Sequence, residues 1–282
     1  MPFYNADATI AAAIRSALHQ TCSDWELVMC DDGSSDGSLA SVRQFNDPRI
    51  TVWSDGRNKG LAARLNECID RARGRYIARM DADDLNYSHR LATQLRFLET
   101  HTEVDLVGSQ MLVFGEDGEA IGKRVLPLTH GEICANPQIG FGMGHPTWLG
   151  RAEWFRKWRY RPEALRYEDV ELLYRSNRDS RFANVPDVLY GYREPKGGFR
   201  KRLKTRAGRV RFLREADHSV ISGSGVVQAA VAESLKSVSD AVIVSVGMRY
   251  QYLRRREQAL TAAESNRWQQ IYQNLNCPEP VE

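Results

Sequence analysis

The stretch Arg79-Met80-Asp81-Ala82-Asp83-Asp84 places three carboxylates within four residues, directly after a short apolar run, Tyr76 to Met80, that reads as a strand. Carboxylates this close repel one another unless a cation or several hydrogen-bond donors neutralise them. At a strand's carboxyl end, where open α/β sheets bind ligands, they point to a metal site for a nucleotide diphosphate. A solvated turn leading into a helix cap uses the same residues, because Asp is common in both roles. The rest of the chain has to decide between the two.

Upstream, Trp25 to Cys30 reads as a buried strand. It ends in Asp31-Asp32-Gly33-Ser34-Ser35-Asp36-Gly37, a loop of residues that tolerate unusual backbone angles and offer side-chain oxygens. Met1 to Asn5 reads as the tail of a strand. Ile10, Ile14 and Leu18 then fall four apart and predict an amphipathic helix, with Asp7 placed to cap it. A short helix and the strand Arg49 to Trp53 follow, then a polar loop, Ser54 to Gly60, and a helix, Leu61 to Ala72, closed by Gly74. Strands and helices have alternated three times by Asp81, the pattern of a parallel sheet with helices on its faces. That topology lines up Asp31, Asp32, Asp81 and Asp83 along one edge.

Downstream, Ser88 is placed to cap a helix running to about Thr100, and Val104 to Phe114 reads as a strand ended by the turn Gly115 to Gly118. Asn136 to Trp148 is rich in Gly and Pro, and a loop of that length inside a compact domain is more often functional than idle. Glu168 to Ser176 is helical, and Pro186 makes Phe182 to Tyr192 an edge strand at best.

The 282 residues suffice for one large α/β domain with an appendage or for two modest domains, and the composition is that of a soluble globular protein. The net charge is only +3, but from Arg193 to Arg214 ten Lys or Arg stand against the single acid Glu194. Five widely spaced cysteines without a Cys-x-x-Cys pair argue against a disulfide framework and a zinc site, which makes a reduced, cytoplasmic setting the expectation. No signal-peptide pattern is present, and no apolar run approaches the roughly 20 residues needed to span a bilayer.

Taken in order, Met-Pro-Phe-Tyr-Asn at 1–5, Ser16 to Thr21, Glu26 to Ser35, Asn58 to Leu61, Ala78 to Asp84, His145-Pro146-Thr147 and Glu168-Asp169 resemble the inverting family-two glycosyltransferases of GT-A fold, particularly bacterial members that build surface polysaccharides. The resemblance covers roughly Met1 to Tyr192. It implies an α/β GT-A fold, Rossmann-like, with a mostly parallel sheet and helices on both faces. The corresponding division is a catalytic domain at 1–195 and a basic helical extension at 196–282.

Carried over residue by residue, the resemblance implies that Pro2, Tyr4 and Asp32 hold the nucleoside, with Lys59 nearby and His145 beside the donor sugar or acceptor. Asp83, with Asp81, would hold Mn2+ or Mg2+ against the diphosphate of a nucleotide sugar. Asp169 matches the family's base, and adjacent Glu168 is the other candidate. Each has a plainer reading: Asp32 as a turn former, Lys59 as an exposed loop lysine, His145 as a hydrogen-bonded structural residue, and Glu168 and Asp169 as acids at a helix start. Trp148, Trp154 and Trp158 offer either a stacking surface for a sugar or a core face.

The implied activity is transfer of a sugar to a hydroxyl of a glycan or lipid-linked glycan, with inversion. The alternative is a scaffold of the same fold without turnover. Two departures from the family pattern favour it: the central first strand is nearly missing before the Met-Pro motif, and Trp148-Leu149-Gly150-Arg151 replaces an apolar pair and Arg. A nucleic-acid partner is not expected, since the basic tract lacks the interleaved aromatics of single-strand platforms. The tract reads either as a solvated basic helix or as an anchor to the anionic inner face of the cytoplasmic membrane.

Overall fold

The computed structural model describes residues 1–137, 140–194 and 257–276, together with Val227, Val231 and Ser234. β1 (Pro2–Phe3), α1 (Asp7–Leu18), β2 (Leu27–Asp31), α2 (Ser38–Arg43) and β3 (Ile50–Ser54) open the chain, and the strands form a parallel sheet in the order β1-β2-β3. Phe3, Ile10, Ile14, Met29 and Val42 converge in one buried cluster, each fully buried large aliphatic contributing about 1.5–3 kcal/mol. Ala82, the middle of the carboxylate stretch, is buried in the same cluster. Its burial holds the stretch against the first sheet while Asp81 and Asp83 stay open to solvent.

α3 (Leu61–Arg71) leads to β4 (Tyr76–Ala78), which begins a second sheet. Its further strands are β5 (Leu85–Asn86), β6 (Leu106–Phe114), β7 (Ala120–Arg124), β8 (Leu149–Arg151) and β9 (Phe182–Arg193), in the order β4-β8-β6-β9-β5 with β7 on β6. β6 is buried along its whole length, as a strand covered on both faces must be. β6 and β9 run parallel, whereas β4–β8, β6–β8, β5–β9 and β6–β7 are antiparallel. The helices α4 (Arg90–Thr100), α5 (His130–Ile133), α6 (Ala152–Lys157) and α7 (Glu168–Ser176) complete this layer.

Parallel pairing therefore dominates only the first three strands, and β2 does not hydrogen-bond to β4. A cavity of about 640 Å³ separates them, lined by Leu27, Val28, Ile69, Tyr76 and Ile77 and closed at one end by Arg79 and Tyr160. The start of the chain does form a strand: Pro2 and Phe3 lie opposite Cys30 and Asp31, and the Met1 amino group donates to Val28 O at 2.5 Å.

Several local expectations are corrected. β9 is interior, between β6 and β5, and Pro186 is accommodated because the register jumps from Ser109↔Val185 to Gln110↔Val188, leaving Pro186 and Asp187 unpaired in a bulge. Asp7 does not cap α1 but lies in its first turn, where its N–H donates to the Asp36 carboxylate at 3.1 Å. Ser88 does not cap α4, because the Gln20 side-chain oxygen accepts from Leu91 N at 3.0 Å instead. Gly74 closes no helix, since α3 ends on Ala72 in extended conformation. The four described cysteines, Cys22, Cys30, Cys68 and Cys134, are free thiols.

The basic tract beyond Glu194 lies outside the described residues, but α8 (Ala262–Asn276) does not stand apart from the two sheet layers. Trp268 is fully buried, packs on Phe114, Tyr87 and Tyr272, and donates from Nε1 to Gly118 O at 2.8 Å. Gly191 admits the ring, because a Cβ there would sit 2.5 Å from it. Arg124–Glu257 at 2.5 Å, Lys123–Glu264 at 2.8 Å and Arg15 Nε donating to Leu275 O at 2.6 Å tie the segment to β7 and α1. Among the described residues no helix is long and apolar enough to cross a membrane.

Trp268→Ala removes a fully buried indole and leaves an apolar cavity against Phe114, Tyr87 and Tyr272, so chemical denaturation should show a loss of about 3–5 kcal/mol. A loss below about 1 kcal/mol would mean that α8 is not part of the folded core.

Candidate active site

Beyond β4 the backbone of Arg79 is fixed twice: its N–H donates to Trp148 O at 2.8 Å, and its carbonyl accepts from Arg90 Nη2 at 2.8 Å. The next turn is held from three directions. Asp81 N donates to the Tyr190 hydroxyl at 3.1 Å, Thr9 Oγ1 to Ala82 O at 3.0 Å, and Arg193 Nε to Asp83 O at 2.8 Å. Oxygens of Asp81, Asp83 and Asp84 come within 4.8 Å of one another. Arg79 grips both oxygens of Asp81, at 2.5 and 2.6 Å. Asp84 accepts from Arg193 N at 2.7 Å through Oδ1, while its buried Oδ2 has no partner.

Burial, then the charges of Asp83 and Asp81, raise the Asp84 carboxyl well above its usual range. Asp83 is exposed, yet loss of surrounding solvent, with the charge of Asp81, raises its carboxyl too. Three carboxylates offering hard oxygen donors, one of them with an orphaned buried oxygen, fit Mg2+ or Mn2+. Asp84 belongs to the stretch that points to a metal, but only Asp81 and Asp83 are named as its ligands from the sequence.

A second group forms at the end of β2. Burial works against the charge of Asp31, but hydrogen bonds from Ser34 and Ser54 outweigh it and hold the carboxyl below its usual value. Asp32 accepts from Lys59 N at 2.7 Å, Gly60 N at 3.1 Å and Arg64 Nε at 2.9 Å. Arg64, fully buried, also grips Asp55, Glu67 and the carbonyl of Arg57, so one guanidinium folds the whole loop 55–60. Gly33 (φ 75°) is needed because a Cβ there would meet Arg57 C at 2.9 Å. The Lys59 ammonium turns to Asp55 and Glu67 at 2.7 and 2.8 Å, so it is the backbone of Lys59 that meets Asp32. Pro2 is buried in β1, and Tyr4 is 52% exposed at the rim.

The third group faces Arg79 from the other layer. His145 sits in a 3-10 turn, His145–Thr147, with Nε2 2.8 Å from the Tyr160 hydroxyl and its ring edge-on to Trp148. Burial, reinforced by the charge of Arg79, lowers the His145 pKa well below its usual value, so the ring is neutral. Trp148 is fully buried and Trp154 nearly so, which removes both from a sugar-stacking role. Glu168 and Asp169 open α7, where acids are favoured by the helix dipole. Burial raises both carboxyls, and the positive charge of Arg79 opposes the rise in each. Glu168 is buried, whereas Asp169 is half-buried.

The structure brings the sequence-predicted residues into three groups: Asp81 and Asp83 on the carboxylate turn, Pro2, Tyr4, Asp32 and Lys59 on or beside the first sheet, and His145, Glu168 and Asp169 on the second layer, with the charge of Arg79 reaching both the turn and the last group. Arg79 and Arg64 went unassigned, although each stands where its charge could have been counted against neighbouring acids. Arg193 and Tyr160 carried no local signal, being brought in only by long-range packing.

The profile of "Glycosyl transferase family 2" matches residues 1–159. The chain belongs to this family. EpsE of Bacillus subtilis (strain 168) is 39% identical over 213 residues, spanning 73% of this chain and 75% of EpsE. WfgD of Escherichia coli, named a UDP-Glc:alpha-D-GlcNAc-diphosphoundecaprenol beta-1,3-glucosyltransferase, is 35% identical over 142 residues, half of this chain and 55% of WfgD. Among solved structures, the mannosyltransferase PcManGT of Pyrobaculum calidifontis, in complex with GDP-Man and Mn2+, superposes with a TM-score of 0.61 at 15% identity, covering 99% of this chain and 86% of that one. TarS 1-349 of S. aureus with UDP-GlcNAc gives 0.58 at 16% identity, covering 97% and 78%. These structures bear out the expected GT-A-like fold, and this glycosyltransferase of family 2 carries its carboxylate stretch inside the matched segment.

Arg64→Met strands Asp32 without its buried partner, and such a loss costs about 3–5 kcal/mol. Thermal unfolding should register it together with faster proteolysis in the loop 55–60. Wild-type stability in this variant would show that the loop holds without the guanidinium.

Proposed function

We propose that the protein transfers a sugar from a uridine-diphosphate donor to a hydroxyl of a lipid-linked glycan, with inversion. The observation that carries this reading is the oxygen cluster of Asp81, Asp83 and Asp84, which shares the field of Arg79 with the acids that open α7. Asp83 and Asp81 would hold Mn2+ or Mg2+, with the unpartnered Asp84 oxygen as a third donor. The ion, when bound, supplies Lewis-acid neutralisation of charge on the departing diphosphate.

Inversion requires a base on the side of the sugar opposite the leaving group. Asp169 suits it better than Glu168, since it is half-open while its neighbour is buried. Asp32 and the backbone it organises would receive the base, with Pro2 and Tyr4 beside the nucleoside, and neutral His145 would line the sugar. The uridine donor and lipid-diphosphate acceptor are supported by the activity for which WfgD is named, and a UDP-GlcNAc complex of TarS is compatible with it. Residues 1–195 would carry this chemistry. The extension at 196–282 would return through α8 to the two layers, and its basic tract from Arg200 to Arg214 would bind an anionic membrane.

Asp83→Asn should abolish Mn2+-dependent UDP binding in calorimetry while leaving the melting temperature within a few degrees. Full activity in that variant would remove the metal assignment. Asp169→Asn should keep donor binding and lose transfer, because an amide accepts no proton. Since burial raises the Asp169 carboxyl, the acid limb of wild-type kcat/KM should lie above the reference Asp value of about 3.9. Protonation disables the base, so activity falls as pH drops through that limb, and a profile flat to about pH 4 would exclude Asp169. The membrane reading predicts co-sedimentation with anionic vesicles that salt reverses, and equal recovery on neutral vesicles would exclude it.

A further inference from the structure

Arg79 follows β4, pairs with a carboxylate of the stretch and is closed off from solvent. Its side chain is 5% exposed, and its two terminal nitrogens are committed to Asp81, which is itself 30% exposed. The buried Nε has no hydrogen-bond partner. The backbone cannot give way, being tied to Trp148 and, through Arg90, to α4. Any change of partner must therefore come from the side chain swinging about a fixed base.

This guanidinium compensates the charge of Asp81, one of the three clustered carboxylates. A divalent ion arriving alone has to compete with it for Asp81. A diphosphate changes the competition, because guanidinium binds phosphate oxygens with the same fork that grips a carboxylate, and the idle Nε–H adds a donor.

We propose that Arg79 is a resident counterion that couples metal binding to nucleotide binding: it occupies Asp81 in the empty protein and passes to the diphosphate when the nucleotide enters, freeing Asp81. Arg79 would thus meet the nucleotide directly and, by leaving Asp81, open that carboxylate to the metal. The inference rests on the reading of Asp83 and Asp81 as the metal-holding pair. By linkage, nucleotide must tighten metal binding by the same factor as metal tightens nucleotide binding.

The test is calorimetric titration of Mn2+ into the full chain with and without UDP, for wild type, Arg79→Gln, Arg79→Lys and Asp83→Asn. In wild type, UDP should tighten Mn2+ binding by about tenfold or more, within the usual range of coupling. Arg79→Gln should bind Mn2+ alone more tightly than wild type, and its UDP enhancement should fall to about threefold or less. Arg79→Lys keeps the charge without the fork and should give an intermediate enhancement. It decides the matter if the Gln variant does not fold. An enhancement in either variant equal to wild type, with unchanged affinity for Mn2+ alone, overturns the inference. Asp83→Asn separates the underlying reading: unaltered Mn2+ binding there refutes the metal assignment, whereas loss of binding there with unaltered coupling in the Arg79 variants refutes only the role of Arg79.

Discussion

Crowded negative charge is the constraint to which the centre of this glycosyltransferase is built. Carboxylate oxygens within 4.8 Å of one another cannot all be ionised in a recess without compensation. The fold supplies it in graded form: a full guanidinium on Asp81, a backbone N–H on Asp84, and the approach of Arg193 to the carbonyl of Asp83. Arg90, fully buried, contributes without touching a carboxylate. It satisfies the carbonyls of Arg79 and Trp148 and the side chains of Asn86 and Gln94, so the strand end that presents Arg79 cannot drift.

The two sheets share the work. The parallel layer carries the Asp31–Asp32 loop, whose shape comes from one buried arginine on α3, while the mixed layer carries the acids of α7 and the His145–Tyr160 pair. The carboxylate turn is the joint between them. Ala82 is packed into the first layer, and Asp81, Asp84 and the carbonyl of Asp83 are bonded to Tyr190 and Arg193 of β9 in the second. α8 contacts both layers, through Arg15 of α1 and through β7.

Much of this was legible in the sequence for a physical reason: the informative signals are local. Helix periodicity at Ile10, Ile14 and Leu18, the extent of α7 from Glu168 to Ser176, the turn at Gly115 to Gly118, and the clustering of Asp81, Asp83 and Asp84 all depend on neighbours within a few positions. Ordered motifs along the first 192 residues carried the family and the GT-A-like fold with them. Local rules failed where a distant group did the job instead: Gln20 replaces Ser88 at the start of α4, and Asp36 serves the first turn of α1.

What only the tertiary structure decided is which charges meet and which strands are interior. Pro186 argues for an edge when read alone, yet a bulge lets β9 pass between β6 and β5, and that central place is what delivers Tyr190 and Arg193 to the carboxylates. The C-terminal helix reads as a polar stretch with one tryptophan. Its burial depends on Phe114, Tyr87 and Gly191, which lie some 75 to 180 positions away and leave no periodic trace beside it. Sequence by itself determined the chemistry available, because side-chain type and local spacing set which groups can ionise and bind. Pairing Arg79 with Asp81 and Arg64 with Asp32, and leaving one oxygen of Asp84 unsatisfied, required the packed chain, because burial and long-range approach set the strength of every charge interaction.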